Sequence, residues 1–124
     1  MSPERIFFAA GALLAMVSVA AGAFAAHGLK TRLAPEMLGV FELAARYQMY
    51  HAIALVICAF AWTRWPGPAV ALAGGLFFVG ILFFSGSLYL LSLSGIRWLG
   101  AVTPFGGVAW LIGWASLAWA AIRH

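Results

Sequence analysis

The chain has little charge of either sign. Aspartate is absent, Glu4, Glu36 and Glu42 are the three acidic residues, and seven Lys+Arg bring the charged fraction to 8%. Soluble domains carry about a quarter charged residues, because a folded surface in water must be covered with polar groups. So sparse a supply excludes an ordinary water-soluble domain. Without aspartate, and with the glutamates close to helix ends, no paired carboxylates stand ready for acid–base work. A Ser-His-Asp constellation is excluded for the same reason. Cysteine is limited to Cys58, which rules out an internal disulfide and any CxxC metal or redox motif and reads as a small core residue. The phosphate-cradling G-x-x-x-x-G-K pattern is missing, as are HExxH and EF-hand spacings. The net charge of +4 is spread along the chain, with no basic block of the kind that binds nucleic acid or polybasic-seeking lipid. No cofactor is implied. His27 and His51 are the only histidines that could meet inside the fold, and two histidines complete no recognised metal set.

What the chain has in abundance is apolar sequence, 65% of its residues. In hydrocarbon the backbone must satisfy its own hydrogen bonds, so the choice lies between helices and a closed barrel. Long apolar runs without period-2 alternation select helices. At about 20 residues per crossing, the pattern predicts an all-α integral membrane protein, an antiparallel bundle of four transmembrane helices in a single domain covering residues 1–124. Pro3, Pro35, Pro66, Pro68 and Pro104 each stand just before or within the first turn of an apolar run, where proline's missing N–H costs nothing. They set helices at about 3–27, 35–63, 67–93 and 103–122, with Ser2 and Thr103 as expected N-caps. Arg5 followed by an apolar run ending in Ala23-Phe24-Ala25 has the outline of a signal peptide; it is read as a true span.

Residues 36–46 alternate Glu36, Glu42 and Arg46 with apolar side chains, as an interfacial stretch does, and Glu42 and Arg46 have the i,i+4 spacing of an ion pair. Trp62, Trp65, Trp98 and Trp119 occupy aromatic-belt positions. Trp110 and Trp114, deeper and on one helix face, are packing residues whose indole N–H groups need partners. Basic residues divide almost evenly between the two sides, so the positive-inside rule discriminates weakly. An even span count puts both termini on one side, and the signal-anchor character of the first helix favours the cytoplasm.

Unusual residues gather at one membrane face. There stand "GAFAAHGLK", "RYQMYH", "FSGSLYLLSLSG" and "TPFGG", whereas the opposite face offers "SPER", "TRWPGP" and "IRH". At 100° per residue Tyr47 and His51 share a stripe with Arg46 and Tyr50 beside it, and His27 ends helix 1 nearby. His27, Tyr47, Gln48, Tyr50, His51, Ser85 and Ser87 are therefore the candidate ligand-binding or polar-core residues. Intramembrane polar residues face the interior and read as functional by default; the competing reading has each of them satisfied by a neighbouring helix. Small residues mark expected close helix contacts: Ser18, Gly22 and Ala26 on helix 1, Gly86 on helix 3, and Gly106, Gly107 and Gly113 on helix 4.

Taken together, "GAFAAHGLK", "FELAARYQMYHAIAL" and "FSGSLYLLSLSGIRWLGAVTPFGG" resemble the signatures of domain-of-unknown-function family 423 over nearly the whole chain. One position departs: Ala25 stands where the family often has glycine. The resemblance implies a small four-span protein, in bacteria of the inner membrane, with no established activity. It marks His27, Tyr47, Gln48, Tyr50, His51, Ser85, Gly86, Pro104, Gly106 and Gly107 as family-typical without giving any of them a role. Two functions stay open. One is a structural or accessory protein that self-associates or packs in a membrane complex. The other binds or transports a small molecule, lipid or ion at the polar face. The partners expected are the lipid bilayer and a second copy or complex subunit, with no nucleic acid.

Overall fold

A computed structural model describes residues 1–124, and its elements are all helical. Four of them are long and apolar enough to cross a membrane: α1 (Pro3–Leu29), α2 (Pro35–Arg64), α3 (Pro68–Ser94) and the stretch Arg97–Arg123. The last begins as a turn of 3₁₀-helix, Arg97–Ala101, and continues as α4, Thr103–Arg123. Proline stands in the first turn of each long helix, and α3 ends at Gly95, whose φ of 75° is the left-handed conformation that favours glycine. The capping expectation holds by position at one site and fails at the other. Ser2 is the N-cap of α1, in extended backbone and with its carbonyl accepting from the Ile6 N–H, although its side chain makes no cap bond. Thr103 lies inside the first turn, behind Val102, with its hydroxyl turned to Ser87.

The packing is unequal. α1 lies along α2, α2 meets α3, and α3 lies along α4. The main core is built by α2, α3 and α4 around Leu55, Cys58, Phe77, Ile81 and Trp110. A smaller one joins Ala25 and Leu29 of α1 to Phe41 of α2. Only 11% of the most apolar window of α1 is buried, against 50% for α2, so α1 is an outer helix docked chiefly on α2. Large apolar side chains such as Leu13, Met16, Val19, Leu82, Leu111 and Ile122 point outward, an arrangement that lipid accepts and water does not.

Helices approach where glycine removes a side chain. A Cβ on Gly11 would lie 2.6 Å from the Ala52 carbonyl oxygen, and one on Gly113 would lie 2.9 Å from the Phe77 ring. Gly74, Gly80 and Gly106 are tighter still, against Phe7, Trp110 and the Phe84 backbone. Gly106 and Gly113 therefore serve as expected. Gly22 and Gly107 do not: nothing lies within 4 Å of a Cβ built on either. Gly86 has only ordinary contact, with the Ile81 carbonyl oxygen at 3.9 Å, and Ala26 is exposed. On α1 the buried direction runs through Gly11, Ser18 and Ala25, which places Gly22 and Ala26 on its flank.

Two stretches of π-helix interrupt the spans, Ala25–Leu29 at the end of α1 and Ile81–Ser85 within α3. In the second, the Gly86 N–H bonds five residues back to the Ile81 carbonyl. The wider turn lies between Gly80, where Trp110 presses, and Ser85, whose hydroxyl crosses to α2.

Candidate functional site

The polar residues of α2 are held by three neighbours. Gln48, 2% exposed, donates from Nε2 to the Leu14 carbonyl of α1 at 2.9 Å and accepts at Oε1 from the Tyr89 hydroxyl of α3 at 2.7 Å. One side chain thus links three helices. Ser85, fully buried, donates to the Ala44 carbonyl at 2.8 Å and fastens α3 to α2 a turn away. Ser87 sits 2.6 Å from the Thr103 hydroxyl, joining α3 to the start of α4.

His51 lies five residues beyond Arg46, about 8 Å deeper along the helix. Its ring is 6% exposed and stacks on Trp110 at a centroid distance of 3.7 Å with parallel planes. Nδ1 is 2.9 Å from the Tyr47 carbonyl, and the Trp114 indole Nε1 is 3.1 Å from Nε2. The carbonyl can only accept and the indole can only donate. The proton therefore sits on Nδ1, and Nε2 accepts. Both nitrogens are satisfied within the chain. Trp110 in turn donates to the Phe77 carbonyl at 3.1 Å, so both deep tryptophans find the partners their indole N–H groups require.

The expected meeting of His27, Tyr47 and His51 does not occur. His27 is exposed on α1, because Ala25 turns inward against Phe41 and a residue two positions on lies about 200° round the helix. Tyr47 is at the surface, 36% exposed, its ring 6.1 Å from that of Trp110 and 5.2 Å from that of Tyr50. Tyr50 is more exposed still. Glu42 and Arg46 do not pair either. The chain's ion pair is Arg97 with Glu36, 4.0 Å apart and largely solvated, which ties the 3₁₀ turn before α4 to the start of α2.

The residues that complete the cluster, Leu14, Tyr89, Trp110 and Trp114, were not among the sequence candidates. Tyr89 carried a signal in the quoted serine-rich stretch: a tyrosine in mid-span must place its hydroxyl. On the outside of the cluster Tyr47, Phe84, Pro104, Gly107 and Trp114 line an open cleft of about 520 Å³ that reaches the edge of His51. A single buried side-chain oxygen lacks any partner, that of Ser18. Its usual acceptor four residues back, the Leu14 carbonyl, is the one Gln48 has taken.

The family model described as "Protein of unknown function (DUF423)" matches residues 21–107. The chain is similar to the UPF0382 membrane protein YwdK of Bacillus subtilis, with 43% identity over 97% of this chain and 98% of that one. A UPF0382 membrane protein of Staphylococcus epidermidis is 44% identical over 96% and 97% of the two chains. Another, SAB0533 of Staphylococcus aureus, is 48% identical over 91% and 92%. No solved structure matches.

Proposed function

The chain belongs to the DUF423 family of membrane proteins, and from that premise we propose that it acts by association, as a structural or accessory protein that pairs with itself or packs in a membrane complex. The observation that carries this reading is the internal satisfaction of the polar cluster. Gln48, His51 and Ser85 spend their hydrogen bonds on Leu14, Tyr89, Tyr47, Trp114 and Ala44, and residues so committed hold helices rather than turn over a substrate. The family names carry no enzymatic activity. What is left for function is surface, and α1 offers the most. Its outer side exposes Ala9, Ala12, Ala20 and Ala23 with Leu13, Met16 and Val19 standing among them, a face of small and large side chains against which another helix can pack.

The membrane is proposed to be the bacterial cytoplasmic (inner) membrane, with both termini cytoplasmic. Bacterial relatives named as membrane proteins support the first statement, and the even span count and Arg5 in the first turn of the first span support the second.

The test is the mass of the purified protein in lipid nanodiscs, with Ala23→Leu as the perturbation. Self-association through α1 predicts a discrete oligomer that falls to a monomer in Ala23→Leu with helix content unchanged. A wild-type monomer at every protein-to-lipid ratio sinks the reading. The second reading, a binder of a small molecule, lipid or ion, is favoured by the cleft beside His51. It predicts a ligand whose retention depends on Tyr47 and Trp114 and not on Ala23.

A further inference from the structure

The seam between α1 and α2 opens to the outside at both of its ends. One opening, about 600 Å³, is lined by Glu4, Arg5 and Phe8 of α1 and by Val56, Phe60 and Thr63 of α2. The other, about 320 Å³, is lined by Ser18 and Gly22 of α1 and by Glu42, Arg46, Met49 and Tyr50 of α2. At 100° per residue Val56 and Phe60 of the first opening and Glu42 and Met49 of the second fall on one side of α2, so both openings lie along the same side of the seam. From Glu4 to Gly22 is 18 residues, about 27 Å of helix, close to the thickness of the hydrocarbon. Each opening therefore lies at its own membrane face.

The charges at these openings are arranged alike. Three acids exist in the chain. Glu36 is engaged with Arg97. The other two, Glu4 and Glu42, each share an opening with an arginine, Arg5 or Arg46, and neither forms an ion pair with it. Away from the charged residues the walls are mostly apolar, Phe8, Ala9, Val56, Ala59 and Phe60 at one end and Gly22, Ala45 and Met49 at the other. Gly22 has nothing within 4 Å of a Cβ position, and the unpartnered Ser18, 4% exposed, sits in the wall below it.

We infer that the seam is a phospholipid site, taking one zwitterionic lipid with a primary ammonium headgroup from each leaflet. The arginine meets the phosphate and the glutamate meets the ammonium, each through charge-assisted hydrogen bonds, while an acyl chain lies in the apolar part of the seam. An anionic glycerol headgroup would satisfy the arginine but offer the glutamate only neutral hydroxyls in place of a charged donor. A quaternary ammonium has no N–H to donate to the carboxylate.

Native mass spectrometry of the full-length protein from nanodiscs of equal phosphatidylethanolamine, phosphatidylglycerol and phosphatidylcholine tests this, counting lipids retained per chain. The expected result is two retained lipids, with ethanolamine favoured about fivefold over either competitor, the ratio that one charge-assisted contact at the membrane surface supplies. In the double variant Glu4→Gln, Glu42→Gln that preference falls to about one. Gly22→Leu fills the narrower opening and leaves one retained lipid, with far-UV circular dichroism unchanged because the added side chain enters open space. Equal retention of the three headgroups by the wild type overturns the proposal, as does a preference that survives the double variant or a second lipid that survives Gly22→Leu. Lipid count per chain is read independently of oligomer mass, so failure here leaves the association reading standing, and the converse also holds.

Discussion

Replacing Gln48 by leucine keeps the bulk of the side chain and deletes the two hydrogen bonds that join α1, α2 and α3. Interhelical hydrogen bonds within membranes average about 0.6 kcal/mol and reach about 1.7. The bond to Leu14 costs less to lose than that, because a mid-helix carbonyl keeps its backbone N–H partner and the Ser18 hydroxyl, now without an acceptor, can turn back onto it. The bond to Tyr89 is lost outright and leaves a half-buried hydroxyl. Gln48→Leu is thus expected to cost about 1 kcal/mol, most of it through Tyr89, and Tyr89→Phe alone about 0.6. The double variant should cost no more than Gln48→Leu, giving a coupling of about 0.6 kcal/mol. The assay is equilibrium unfolding in mixed dodecyl maltoside and sodium dodecyl sulfate micelles, followed by tryptophan fluorescence. Strictly additive costs would refute the three-helix link, and so would a Gln48→Leu variant as stable as the wild type.

The remaining expectations follow from single contacts. Ser18→Ala removes an unpartnered buried hydroxyl and is expected to raise stability by about 1 kcal/mol in lipid-free micelles, a gain that should vanish in the Gln48→Leu background. Neighbouring glycines should part company: Gly106→Ala forces a methyl group onto the Phe84 backbone and is expected to cost about 1–3 kcal/mol. Gly107→Ala enters open space and gains up to about 1 kcal/mol from helix propensity. Arg97→Ala breaks a solvated ion pair and should change stability by less than about 1 kcal/mol, with high salt erasing even that. All three are read from the same unfolding curves.

The four spans were legible because proline and hydropathy act locally. Pro3, Pro35, Pro68 and Pro104 mark helix starts whatever the neighbours do. The partners within the site were not, since they depend on which side of each helix meets which. The sequence placed Tyr47 and His51 on one stripe, but a stripe is wide, and the structure buries His51 while leaving Tyr47 at the surface. His27 was grouped with them by depth alone; the inward turn of Ala25 sends it outward. Small residues misled on α1 for a related reason. Spacing of four singled out Ser18, Gly22 and Ala26, whereas the tight contact is at Gly11, set by where α2 crosses. The need of Trp110 and Trp114 for acceptors could be read from their chemistry, but which acceptors answered could not. That His51 accepts from Trp114 is a fact of the tertiary structure.

The polar cluster is an internally satisfied structural element, and the ring of His51 reports on it most directly. Nitrogen-15 NMR of protein labelled at histidine and tryptophan, reconstituted in lipid, is expected to show His51 protonated on Nδ1 alone. Nε2 should accept from the Trp114 indole, whose Nε1 signal should move in His51→Gln. A His51 ring protonated on Nε2, or a Trp114 indole signal indifferent to His51, would contradict the account.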